Sequence, residues 1–129
     1  MTRDGDPLEP APQPLDAAAL ERLRSLDPDG RHDVLRRVLA TYEAALARQL
    51  DQLRAEAAAP SAAGHAALGT LAHTLKSSSA SVGANALAAA CAALELRLRQ
   101  GARAQTHDVA DLIALGEAAL ASVRTMLRQ

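Results

Sequence analysis

The sequence predicts an all-α protein: an antiparallel up-down four-helix bundle with an additional short N-terminal helix. Three observations carry this. First, 32 of the 129 residues are alanine, and the apolar 49% is mostly Ala and Leu, with one Tyr and neither Trp nor Phe. Ala and Leu are strong helix formers, whereas the β-branched and aromatic residues that favour strands are scarce. Second, apolar residues recur at three- and four-residue steps, the period of a helix with one buried face. Third, the breakers that punctuate this pattern leave only short links, which favour antiparallel neighbours.

Residues 1–14 hold Gly5, Pro7, Pro10, Pro12 and Pro14 among several charges. This composition predicts a flexible tail or linker, suited to a junction with a larger upstream protein, and leaves residues 15–129 as one helical domain. The first helix is expected to begin near Asp16 as N-cap, with Leu15, Leu20, Leu23 and Leu26 on its apolar side. Asp27-Pro-Asp-Gly30 reads as a turn. A second helix is expected from about Arg31 to Ala59, with Val34, Leu35, Val38, Leu39, Tyr42, Leu46, Leu50 and Leu53 as its stripe, and Pro60 marks its end. A third starts near Ser61 and finishes around Ser81 to Gly83, the glycine serving as a C-terminal cap. A fourth spans about Asn85 to Gln100, with Leu87, Cys91, Leu94 and Leu98 at core spacing, closed by Gly101. The last runs from Thr106, read as its N-cap, to the end, lined by Val109, Leu112, Ile113, Leu120, Val123 and Leu127.

With 14 basic and 15 acidic residues the net charge is −1, which excludes broad electrostatic attraction to nucleic acid or to a membrane surface. No apolar run approaches a membrane span and the N-terminus has no apolar signal core, so a cytoplasmic location is expected. The lone Cys91 cannot form an internal disulfide, in keeping with a reducing compartment.

The chemistry centres on His73. Its helical neighbours are Gly69, Thr70, Lys76 and Ser77, of which only the lysine is bulky. Leu68, Leu71, Leu75 and Val82 recur on the opposite side. The imidazole should therefore face outward on an open pad, one turn from a cation, an arrangement suited to meeting a partner and carrying an anionic group. On spacing alone the plainer reading, an exposed polar residue on a bundle helix, has the better claim. His32, His65 and His107 read as bystanders, because no pair has the i, i+4 spacing of a metal site and Cys91 belongs to an apolar stripe. Ser77, Ser78, Ser79 and Ser81 read as small packing residues, since no Gly-x-Ser-x-Gly surrounds them. No Gly-rich nucleotide loop or Walker motif is present, so neither ATP binding nor self-phosphorylation is expected.

The run Leu71-Ala-His-Thr-Leu-Lys-Ser-Ser-Ser-Ala-Ser-Val-Gly-Ala84, followed by Leu87, Cys91, Leu94 and Glu95, resembles a histidine-containing phosphotransfer (HPt) domain. The family pattern is His-x-Leu-Lys-Gly, small residues, an apolar residue and Gly, then a second helix ending in Leu-Glu or a similar pair. The resemblance is densest over residues 68–99, and the helix plan extends it over most of residues 15–129.

This resemblance implies a module of a multistep phosphorelay that is a phosphoryl carrier rather than an enzyme. His73 would accept a phosphoryl group from a receiver-domain aspartate and pass it to another receiver. Lys76 would stabilise the phosphoryl charge, and Gly83 would end the helix. Glu95 stands where the family often places Glu or Gln near the histidine. There it would accept Nδ1–H and leave Nε2 as nucleophile; the plainer reading is a solvated helix charge. Gly69, Thr70, Ser77, Ala80 and Arg99 would meet the partner, with Ser77 replacing the usual glycine. Arg97, Arg99 and Arg103 would guide a receiver's acidic pocket, or form a wet face. No cofactor or metal of its own is implied; Mg²⁺ would come with the receiver. The chain would be a monomer without nucleic-acid or membrane contacts. Two alternatives stand beside this: a helical interaction module with no phosphotransfer, and the dimerisation domain of a sensor kinase. Thr74 and Leu75 disfavour the second, because an acidic residue and a nearby proline usually follow the histidine there.

Overall fold

The computed structural model describes residues 15–129; the tail expected at 1–14 lies outside the described residues. Five helices follow in order: α1 (Ala17–Ser25), α2 (Val34–Ala58), α3 (Ala62–Ser81), α4 (Asn85–Arg99) and α5 (Thr106–Leu127). Among the described residues there is no strand. Helices α2 to α5 form the four-helix bundle. The packing is closest between α3 and α4 and between α2 and α5, while α1 lies against α2.

The leucine stripes meet in one core. Leu39, Tyr42, Leu46, Leu50 and Leu53 of α2 pack with Leu68 and Leu75 of α3, Leu87, Cys91 and Leu94 of α4, and Val109, Leu112, Leu120 and Val123 of α5. Small residues fill the gaps: Ala72 and Ala119 are buried, and Gly116 lets α5 approach α2 so closely that a Cβ there would lie 2.7 Å from Leu50 Cδ2. A larger residue there would force the Leu50 side chain to move within a core packed at crystal density. Ser79 is fully buried, and its hydroxyl lies 2.8 Å from the Tyr42 hydroxyl, satisfying both polar groups in the interior. The other three serines of that cluster are not core residues: Ser77 and Ser81 are exposed and Ser78 is half-buried.

Three local expectations are corrected. Helix α2 begins at Val34, not Arg31. The turn before it is held by Asp27, whose buried carboxylate accepts from the amides of His32 and Val34, and Asp33 takes a left-handed conformation at φ 51°. Burial raises the Asp27 carboxyl, but the His32 and Val34 amides outweigh it and hold the group below its ordinary value. The apolar side of α1 stops early: Leu15 and Leu20 are buried, Leu23 is half-buried and Leu26 is 70% exposed. The N-cap of α5 is Gln105 rather than Thr106, with the Asp108 carboxylate accepting from the Gln105 amide at 2.7 Å. Asp16 caps α1 as expected, accepting from the Ala18 amide.

Both glycine caps close with a Schellman pattern. At the end of α3, the Gly83 amide donates to Ala80 and the Ala84 amide to Ser79, with Gly83 at φ 79°. At the end of α4, Gly101 donates to Leu98 and Ala102 to Arg97, with Gly101 at φ 89°. The first of these turns also anchors α1, since the Asp16 amide donates to the Gly83 carbonyl at 2.8 Å.

Candidate functional site

The Gly83 turn folds α4 back along α3. His73 and Glu95 stand eleven residues on either side of Ala84. At about 1.5 Å of rise per residue the two positions come level on adjacent helices. His73 Nδ1 lies 2.7 Å from Glu95 Oε2, and Lys76 Nζ, one turn further along α3, lies 2.6 Å from Glu95 Oε1. Arg99, one turn further along α4, places Nη2 3.0 Å from the same Oε2 that meets the histidine. One carboxylate thus receives an imidazole and two cations.

Glu95 is 8% exposed, not the solvated charge of the plainer reading. The Lys76 ammonium first, then the Arg99 guanidinium and His73, hold its carboxyl down at about 2 against an ordinary 4.5, although burial pulls the other way. Glu95 is therefore ionised at neutral pH and can only accept hydrogen bonds. The ring proton of neutral His73 must then sit on Nδ1, which leaves the lone pair on Nε2. The His73 side chain is 65% exposed, and Nε2 has no hydrogen-bond partner among the described residues. The site presents an imidazole to solvent and holds the ring from behind through Nδ1.

This charge cluster has a consequence for stability. A carboxyl whose folded value is depressed stabilises the fold above its unfolded value and loses that contribution as pH falls through the folded one. The Glu95 contribution is thus complete above about 4.5 and fades between there and about 2. Glu95→Gln should melt with a shallower loss over that interval than the parent, while Asp27 supplies acid sensitivity common to both. Parallel melting curves from pH 5 to pH 2, at about the limits set by this linkage, would show that the carboxylate adds nothing to the fold.

Beside the histidine is an open depression lined by Ala66, Gly69, Thr70, Glu95, Leu98 and Arg99. Gly69, Thr70 and Arg99 thus lie around the ring. Ser77 and Ala80 are exposed further along α3 and do not line this depression. A Cβ at Gly69 would meet only Leu98 Cδ1, at 3.8 Å. Of the three candidate arginines only Arg99 belongs here. Arg97 is bound to Asp108 of α5, and Arg103 lines a separate depression with His65. Among the described residues no group of His, Cys, Asp and Glu is placed to hold a metal ion. Cys91 is buried, with its thiol pushed up to about 12 by burial and then by Glu95, so it is not a thiolate at neutral pH.

The fold that carries this imidazole and carboxylate is matched by the comparisons with known proteins. The Hpt domain family matches residues 37–129. This chain belongs to the histidine phosphotransfer (Hpt) family. The Hpt domain is also similar to a solved structure, histidine-containing phosphotransfer protein B (HptB) from Pseudomonas aeruginosa PAO1, at 29% identity and a TM-score of 0.66, over 93% of this chain and 95% of that one. None of the curated proteins matches it in sequence. Hpt domains are phosphoryl carriers of phosphorelays that work with receiver domains, and this chain is a histidine phosphotransfer module of that kind. No helix among its described residues is long and apolar enough to cross a membrane.

Proposed function

We propose that His73 is the phosphorylated residue, taking its phosphoryl group from a phospho-aspartate on one receiver and yielding it to an aspartate on another. The observation that carries this is the 2.7 Å contact between His73 Nδ1 and the ionised Glu95, which sets the proton of the neutral ring on Nδ1 and makes Nε2 the nitrogen that carries the lone pair. Nε2 attacks phosphorus in line; the N–P bond forms as the P–O bond to the aspartate breaks, and the aspartate leaves as carboxylate. The ring, now substituted on Nε2 and protonated on Nδ1, carries a positive charge that Glu95 stabilises. The receiver contributes the aspartates and the Mg²⁺ that neutralises the phosphoryl oxygens. The Hpt domain contributes a nucleophile on a rigid helix and needs neither nucleotide nor metal of its own. It acts as a monomer in the cytoplasm, with Gly69, Thr70, Ser77, Ala80 and Arg99 forming the rim a receiver covers.

Incubation with phosphorylated receiver domains tests this directly. Label should pass to the chain without ATP; failure with every receiver of the same organism would remove the proposal.

Lys76 is the companion prediction. It is engaged with Glu95, yet stands one turn from His73, where its charge opposes that of the arriving phosphoryl group. Lys76→Ala should slow transfer by about tenfold, equivalent to roughly 1.4 kcal/mol of barrier. The side chain is 34% exposed, so stability should shift by no more than about 0.5 kcal/mol. Quenched-flow transfer read beside a melting curve decides this. A parental rate from a normally folded variant would leave Lys76 with no part in transfer.

A further inference from the structure

Arg99 and His73 share one oxygen. Arg99 Nη2 lies 3.0 Å and His73 Nδ1 2.7 Å from Glu95 Oε2, while Lys76 occupies Oε1 at 2.6 Å. The arrangement resolves a conflict built into the site. A carboxylate against an imidazole orients the ring, but it also favours the doubly protonated, cationic ring. That form has a proton on Nε2 and no lone pair with which to attack. The charged groups facing His73 are Lys76 from α3 and Glu95 and Arg99 from α4; Ala66, Gly69, Thr70 and Leu98 complete the depression without charge. Two cations against one anion leave a net positive surrounding, which opposes the second proton that the carboxylate alone would favour.

We infer that Arg99 is a positioning residue for transfer: it fixes Glu95 and offsets its charge, so that the carboxylate orients His73 while Nε2 stays unprotonated. The inference rests on His73 as the acceptor. It separates Arg99 from a docking residue, which would touch only the receiver. It also separates Arg99 from an ordinary i, i+4 surface pair, which would leave the histidine unaffected.

Two readouts on the full chain test it. The first is the pH profile of transfer from a phosphorylated receiver. The second is the His73 ring titration followed by NMR of the chain alone, which needs no receiver. Removing Arg99 leaves Glu95 less compensated, so Arg99→Ala should let the ring take its second proton at higher pH than the parent. Transfer should then fall about three- to tenfold near pH 6 and converge with the parent near pH 8, the pattern of a nucleophile lost to protonation. Arg99→Lys should restore most of the parental profile. A uniform loss at every pH with an unmoved ring titration would make Arg99 a docking residue and overturn the inference. A variant identical to the parent in both readouts would reduce it to a surface ion pair, with the same result. A ring that shifts as expected in a chain that accepts no phosphoryl group would instead overturn the acceptor assignment beneath it.

Discussion

His73→Gln is expected to abolish phosphoryl labelling. No other group at the site can replace its nucleophile: Glu95 is turned inward under two cations, and Lys76 is bound to it. Transfer should drop by about a thousandfold or more, equivalent to roughly 4 kcal/mol of barrier. Glutamine keeps a polar side chain of similar reach at a position 65% exposed, so the melting temperature should barely move, in line with a surface change of about 0.5 kcal/mol or less. The label on the parent should behave as a phosphoramidate, lost in acid and retained in base. Undiminished label on His73→Gln, or label that survives acid and is lost in base, would transfer the role to a serine or a carboxylate.

Gly83→Ala is expected to cost more stability than any substitution at the site. Gly83 sits at φ 79°, and a Cβ there would lie 2.7 Å from the Asp16 backbone nitrogen and 2.9 Å from both Asp16 Cβ and Ala19 Cβ. The left-handed conformation alone costs a non-glycine residue about 1–2 kcal/mol. Overlap with backbone adds a further cost of about 1–3 kcal/mol, because no side-chain rotation relieves it. The total, about 3 kcal/mol, should lower the melting temperature by roughly 10 °C for a domain of this size. The loss should fall hardest on α1, whose Asp16 amide is bound to the Gly83 carbonyl. Amide hydrogen exchange read beside the thermal melt locates it. A variant that melts with the parent would mean that the turn relaxes freely and that α1 is not anchored there.

Much of this was legible from spacing. Leu39, Leu46, Leu50 and Leu53, or Leu87, Cys91 and Leu94, announce one buried face because leucine at helical intervals leaves little else to infer. His73 could be placed outward for the complementary reason, that its neighbours are small and the leucines lie opposite. Alanine defeats the same reasoning. With so many in the chain, nothing marks Ala72 and Ala119 as interior while Ala66 and Ala80 stay exposed. The start of α2 was missed because Asp27 reaches across a turn to amides five and seven residues on, which local propensity does not register. The arginines needed the bundle itself. Arg97 and Arg99 are two positions apart and so face nearly opposite ways on a helix, one toward Asp108 and the other toward Glu95. The position of Glu95 beside His73 came from the family resemblance; its physical basis is the symmetry of the two residues about Ala84, a signal available once the turn is known.

The buried pair of Tyr42 and Ser79 gives the molecule a single optical reporter. With no tryptophan and one tyrosine, all near-ultraviolet absorption and intrinsic emission come from one phenol ring, bonded to α3 from its place on α2. Burial, the largest influence, lifts that phenol above its ordinary ionisation range, so the spectral change of phenolate formation is tied to loss of the α2–α3 packing. Light thus sees this protein through one seam of its interior, where α2 meets the helix that carries His73.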